Sequence, residues 1–255
     1  MRFASLGSGS EGNALLVEVA GTRLLMDCGF GLNDSIARLA RLGISPEQLD
    51  GILITHEHGD HSSGVARLAR KFALPVWLTH GTLRSLSGKL SGVGRICEID
   101  PHQSFAIGDI EITPYPVPHD AAEPVQFVFG DGAQQLGVLT DAGSSTPHIE
   151  AVLGGCDALV LECNHDSDML MNGDYPWSLK QRVGGRFGHL NNRDAAAILS
   201  RLDRSRLQHL VAAHLSRSNN TEALAISALS GAMGCEAGWI TVATQQEGCG
   251  WREIR

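Results

Sequence analysis

The sequence predicts a layered α/β fold, with sheets inside and helices outside. Three observations lead there. Short apolar, β-rich runs recur along the chain, segments with helical spacing alternate with them, and the polar residues able to do chemistry fall just beyond the ends of the runs. The runs are 15–19, 23–26, 51–54, 76–78, 126–129, 137–139, 158–161, 210–213 and 239–242. Between them, Ile36, Leu39 and Ala40 have the spacing of a one-sided helix, with Asp34 as its expected N-cap and Gly43 as its stop. Val65, Leu68, Ala69 and Phe72 predict a second helix. Asn191 or Asn192 is placed to cap one running to about Leu202, and Asn220 or Thr221 one running to about Leu229.

Composition narrows the class. At 43% hydrophobic and 19% charged residues, the chain is expected to fold around a sizeable core. With no linker, low-complexity tract or repeat in view, residues 1–255 are expected to form a single domain. No apolar run approaches the length of a membrane span, and the opening MRFASLGSGS lacks the apolar middle of a signal peptide, so a cytoplasmic placement is expected. The six cysteines (Cys28, Cys97, Cys156, Cys163, Cys235 and Cys249) form no Cys-x-x-Cys pair and read as buried thiols of a reducing compartment. A net charge of −8 argues against a surface coated for nucleic acid, although a local basic patch could still hold phosphate.

One stretch stands apart. THEHGDH, residues 55–61, follows an apolar strand and packs His56, His58, Asp60 and His61 around a single glycine. Imidazole and carboxylate oxygen together suit zinc and similar divalent ions. His56 and His58, two apart in extended chain, can point the same way, while Gly59 lets the chain turn and present Asp60 and His61 elsewhere. One ion cannot take all four at tetrahedral angles, but two ions can. Two adjacent ions need further donors. Asp141, in LTDAG directly after a run, is the candidate bridge, and His119 in PVPHDAAEP and His214 in LVAAHLS are the other candidates. His80, His102, His148 and His209 have no such context, and His165 in ECNHD lies near the expected site edge without a clear role.

THEHGDH, His119, Asp141 and His214, in that order, resemble the motifs of the metallo-β-lactamase superfamily of metal-dependent hydrolases. The resemblance covers nearly the whole chain, from LLMDCG to AAHLS. It implies an αββα sandwich of two mixed β-sheets flanked by helices, with a dinuclear site at the sheet edge. By motif, His56, His58 and His119 would hold the first metal, Asp60, His61 and His214 the second, and Asp141 would bridge. Zinc is the expected ion, with manganese or iron(II) also suited. Asp141 stands where β-lactamases of this fold typically carry cysteine. Little chain follows His214 for the helical domain of glyoxalase II, and too little separates Asp141 from His214 for a β-CASP insertion. GHLNNRDAAAIL and LVLECNHD are similar to segments of ribonuclease Z, which would make His189 and Glu162 a proton-donating pair. No insertion resembles that enzyme's tRNA-gripping arm. The opening GSGSxGN, ECNHD and HLSxxNN are most similar to the YycJ-type, nuclease-like branch.

The resemblance implies hydrolysis by a metal-bridging hydroxide, with Asp60, His189 and Glu162 as catalytic residues and nucleic acid as the substrate. Lys180, Arg182, Arg186 and Arg193 form the most basic stretch and are candidates to hold phosphate. Hydrolysis of a small thioester, lactone or cyclic phosphodiester is the alternative activity, and a non-catalytic metal-binding protein a third reading. No membrane partner is expected, and a homodimer is compatible with the sequence.

Overall fold

Two seven-stranded sheets face each other in the computed structural model, which describes residues 1–255. The first holds β1 (Arg2–Gly7), β2 (Ala14–Val19), β3 (Thr22–Met26), β4 (Gly51–Leu53), β5 (Val76–Thr79) and β6 (Ile96–Ile99), side by side in sequence order. The second holds β7 (Phe105–Ile107), β8 (Ile110–Pro116), β9 (Val125–Gly130), β10 (Gln135–Leu139), β11 (Ala158–Glu162), β12 (His209–Ala213) and β13 (Ile240–Val242). The chain then returns, and β14 (Cys249–Glu253) pairs antiparallel with β1. Both sheets are mixed: β3 to β6 are parallel, as are β10 to β13.

Helices cover the outer faces. α1 (Leu32–Arg41), α2 (Gly59–Ser62), α3 (Val65–Phe72) and α4 (His80–Leu86) come after strands of the first sheet. α5 (Pro147–Leu153), α6 (Ser167–Asn172), α7 (Trp177–Val183), α8 (Asn192–Arg201) and α9 (Glu222–Met233) come after strands of the second. Three apolar layers result. Phe3, Val17, Leu24, Phe127 and Val211 pack between the sheets. Leu16, Leu25 and Ile52 pack outward with Leu39 and Leu68, and Leu139, Leu159 and Leu161 with Ile149, Ile198 and Leu229. Successive side chains of a strand point to opposite faces, so a strand in the middle of four layers buries both sets. That is why β2 is buried at all six positions and is apolar at every one but Glu18.

The αββα expectation holds, with local corrections. Gly31, not Asp34, precedes the first turn of α1; the Asp34 carboxylate instead accepts from Arg38 Nε one turn on, at 2.9 Å. The run at 239–242 begins one residue late, because Trp239 belongs to a 3₁₀ turn. Asn191 and Thr221 do cap α8 and α9, each accepting a backbone N–H. No apolar run of the sequence marks β1, β6, β7, β8 or β14. β8 carries Pro114 and Pro116, which demote a run as a strand signal, yet it pairs with β9 from Glu111 to Pro116. β6 and β7 are partly exposed and lack the continuous apolar character of the central strands.

Candidate metal centre

Parallel strands end on one edge of each sheet, and the residues just past those ends assemble the candidate site. Asp27 comes after β3, Thr55 and His56 after β4, and Asp141 after β10, while Glu162 closes β11 and His214 comes directly after β12. Ligands gather at such edges because the strand backbone is spent there and loops diverge. Three of these residues sit in the left-handed region, Asp27 at φ 61°, Asp141 at 53° and His214 at 56°. Each costs on the order of 1–3 kcal/mol outside glycine, and packing must hold it. A turn of that hand directly after a strand swings the side chain back over the sheet edge.

The loop behind α2 is fixed by close backbone approach. A Cβ on Gly29 would lie 1.8 Å from the Asp60 carbonyl oxygen, so only glycine lets the β3–α1 loop pass there. Cys28 N–H donates to His61 O at 2.8 Å and Asn13 N–H to Asp60 O at 2.8 Å, tying THEHGDH to the Gly/Ser-rich opening.

Two donor clusters result. His56 Nε2 lies 3.1 Å from His58 Nδ1, which lies 3.2 Å from His119 Nε2. A zinc ion with Zn–N bonds near 2.0–2.1 Å holds tetrahedral nitrogens about 3.3 Å apart. The second cluster joins Asp60, His61 and His214: Asp60 Oδ2 is 3.4 Å from His61 Nε2 and 3.5 Å from His214 Nε2. Asp141 lies between the clusters, its Oδ2 3.2 Å from His61 Nε2 and its Oδ1 3.4 Å from His214 Nε2 and 4.0 Å from His119 Nε2. Asp141 Oδ2 and His214 Nε2 are both buried, and neither has a hydrogen-bond partner. Leaving such groups unpaired costs about 1–3 kcal/mol each, and a cation satisfies both. The donors present therefore fit two divalent ions. A further grouping, of Asp141, Glu162, His189 and His214, is a different object. There His189 and His214 approach Glu162 through Nδ1, leaving both Nε2 atoms turned elsewhere.

Most of these imidazoles are anchored from behind. His61 Nδ1–H donates to Asp27 Oδ2 at 2.8 Å, and His119 Nδ1–H to the Gly188 carbonyl at 3.0 Å. His56 Nδ1–H reaches Thr55 Oγ1 at 2.9 Å, and that hydroxyl in turn donates to Asp27. Ser8 Oγ accepts from His214 N–H, and Asn13 Nδ2 lies 3.4 Å from Asp60 Oδ2. Such contacts set the tautomer and aim the free nitrogen. Sequence reasoning assigned no role to Ser8, Asn13, Asp27 or Thr55. Their one signal was a place in GSGSEGN, LLMDCG or THEHGDH, since lone Ser, Thr, Asn and Asp residues carry no spacing pattern.

Electrostatics differs between the clusters. Burial, followed by the neighbouring His61, holds His56 well below the usual imidazole range, and burial also lowers His119. Burial also opposes a charge on His214 and His61, but Asp141, aided by Asp60 for the one and by Asp27 for the other, outweighs it. His214 is pushed up to about 9 and His61 well above its ordinary value. The same pairs hold Asp60 and Asp141 below the usual carboxylate range against burial. His56 and His119 are thus neutral and ready to ligate, whereas His61 and His214 carry protons that a cation must displace.

Asp60, Asp141, His189 and His214 line a cleft of about 360 Å³ with Tyr175 and Arg182. Glu162 is fully buried. Its Oε2 accepts from the N–H groups of Ala142 (3.0 Å) and Leu190 (3.2 Å), and its Oε1 from His189 Nδ1–H at 2.8 Å. His189 Nδ1 is 3.6 Å from Asp141 Oδ1. Burial lowers the His189 pKa, but Glu162 and then Asp141 raise it above the ordinary value. Of the four basic candidates, only Arg182 lines this cleft, donating to Asp120 at 2.5 Å. Lys180 lies on the opposite side of α7, its Nζ on the Met171 carbonyl, while Arg186 is exposed in the loop after α7 and Arg193 on the first turn of α8. His165 is buried beside Asn164, away from both clusters. His80 pairs with exposed Glu98 and His209 with a backbone carbonyl.

Comparison with known proteins agrees with this fold. A family model described as a beta-lactamase superfamily domain matches residues 22–214. Exodeoxyribonuclease YycJ of Bacillus anthracis is 36% identical over 234 residues, 90% of this chain and 88% of the relative. Exodeoxyribonuclease WalJ of Streptococcus pneumoniae is 35% identical over 230 residues, 88% of this chain and 85% of the relative. The crystal structure of the metallo-beta-lactamase fold protein YhfI from Bacillus subtilis superposes with a TM-score of 0.78, covering 98% of both chains at 17% identity. The chain belongs to the metallo-β-lactamase superfamily of metal-dependent hydrolases.

Proposed function

We propose that this chain is a two-cation phosphodiesterase that hydrolyses nucleic acid, with DNA as its substrate. One observation carries the reading: a buried glutamate holds His189 at the wall of the cleft, beside a carboxylate shared by two donor clusters. The naming of two relatives as exodeoxyribonucleases, each matched over most of this chain, supports the choice of substrate.

His56, His58 and His119 would hold one ion, Asp60, His61 and His214 the other, with Asp141 placed to serve both. Divalent ions bound there would supply an ionised water near neutral pH and offset charge on the phosphoryl oxygens. The protein supplies the rest. His189 donates Nδ1–H to Glu162, which leaves Nε2 for the substrate side. With its pKa raised, the ring enters the reaction as an imidazolium and passes the Nε2 proton to the departing alkoxide, a step of about 10²–10⁴-fold. Glu162 holds the ring and stabilises its charge without leaving its two backbone donors. Arg182, at the cleft mouth, faces a phosphate oxygen as a planar cation once Asp120 shares it.

The test is hydrolysis of a bis-aryl phosphodiester and of end-labelled DNA and RNA by protein loaded with zinc or manganese. Cleavage of DNA, abolished in Asp141→Ala and His61→Ala, is expected. Inert phosphodiesters alongside turnover of a thioester or lactone would replace this reading with the small-molecule one.

A further inference from the structure

The protein exposes few large apolar side chains, and the three most exposed lie together. Met171 is 50% exposed, Trp177 60% and Phe187 60%. All fall in 171–193, which also carries Lys180, Arg182, Arg186 and Arg193 against one acid, Asp174, in a chain of net charge −8. α7 is the centre of this segment, and none of its seven residues is buried. A helix so short gains little from its own hydrogen bonds and usually depends on packing, so a face left open invites a ligand.

α7 divides two cavities. Leu179, Arg182 and Val183 line the active cleft, while Trp177, Lys180 and Gln181 line a second cavity of about 220 Å³ on the other side, which also takes in His165. Phe187 directly precedes Gly188, which lines the cleft and whose carbonyl anchors His119, and its own carbonyl accepts the N–H of Asp120, another lining residue, at 3.0 Å. Arg182 pairs with Asp120, whereas Lys180, Arg186 and Arg193 form no ion pair. Exposed aromatic rings interleaved with unneutralised cations and continuous with a hydrolytic cleft are what an unpaired strand recognises. Its bases stack on the rings and its phosphates meet the cations. A duplex keeps its bases stacked on one another and offers none to Trp177 or Phe187.

Resting on the nuclease reading above, we propose that the segment from α6 to the loop after α7 is a stacking track for single-stranded DNA. Phe187 holds a base at the cleft lip, Trp177 holds another across α7, and Lys180, Arg182 and Arg186 meet the backbone between them. His165 and its cavity receive the strand beyond α7. The nucleotides that reach the cleft are thereby unpaired, from a single strand or from the frayed end of a duplex.

Binding of the metal-loaded protein to a labelled phosphorothioate strand of about ten nucleotides, which resists cleavage, is compared with binding to the matching duplex. Trp177→Leu and Phe187→Leu should each raise Kd for the single strand about fivefold or more, with the duplex altered by less than about twofold, and Trp177→Phe should restore binding. Both side chains are mostly in solvent, so the core is left intact, and an unchanged melting temperature verifies it. Unaltered single-strand Kd in both leucine variants, or equal losses for strand and duplex, overturns the track while cleavage of the unmodified strand by the parent still upholds the nuclease. A parent that leaves that strand whole while hydrolysing a small diester removes the nuclease reading and the track with it.

Discussion

Asp27 touches no candidate cation, yet the structure makes it the hinge of both clusters, and Asp27→Asn isolates that role. The carboxylate is buried, takes His61 Nδ1–H on Oδ2 and Thr55 N–H on Oδ1, and receives the Thr55 hydroxyl that holds His56. Asparagine keeps the size and tolerates the left-handed backbone at φ 61°. Its amide, however, presents one donor face and one acceptor face where two acceptors are needed. If the amide nitrogen faces His61, donor meets donor, and relief requires the tautomer that puts a proton on Nε2, the ligating atom. If the amide turns over, the clash moves to the Thr55 N–H. Loss of such support typically costs 10–100-fold in metal affinity, about 1.4–2.7 kcal/mol, and the second cluster should bear most of it. The first cluster, reached only through Thr55, should weaken about tenfold or less. Competition against a chromophoric chelator, with metal content measured on the recovered protein, reads both steps. If the Asp27→Asn variant holds its metals within about twofold of the parent, support from behind does not set affinity here and the reasoning fails.

The same contacts lead to three other expectations. Glu162→Gln should leave metal content intact, lower kcat about 10²–10⁴-fold, and move the basic limb of the pH–rate profile to lower pH, because the raised His189 pKa depends on that charge and the ring acts as an acid only below it; an unmoved limb would assign the proton to another group. Metal binding at the second cluster must displace protons from His61 and His214, so its affinity should rise with pH through about 9, whereas binding at neutral His56 and His119 should vary little near pH 7; calorimetry in buffers of different ionisation enthalpy counts the protons released. Burial pushes the Cys28 thiol up to about 11 and Cys156 up to about 12, and Cys163 is raised further by burial, so mass spectrometry after alkylation of the native protein at pH 8 should find label on partly exposed Cys97 and Cys235 and not on these three; labelled Cys163 would show an opening of the outer layer.

The sequence by itself carried the donors and the layers. THEHGDH concentrates four donors in six residues, and the apolar runs before Asp141, Glu162 and His214 already announce buried strands whose ends present them. Both signals are local, because strand burial and donor spacing are written within a few neighbouring residues. Tertiary structure alone decided which donors share an ion, since His58 and His119 are 61 positions apart and meet at 3.2 Å only because two sheets bring their edges together. It decided that Asp27 stands behind two clusters at once, that three residues take left-handed backbone to face inward, and that α7 turns Arg182 to the cleft and Lys180 away from it. Such facts depend on distances between elements distant in the chain, and those distances are set by packing of the three apolar layers, a property that no single stretch contains.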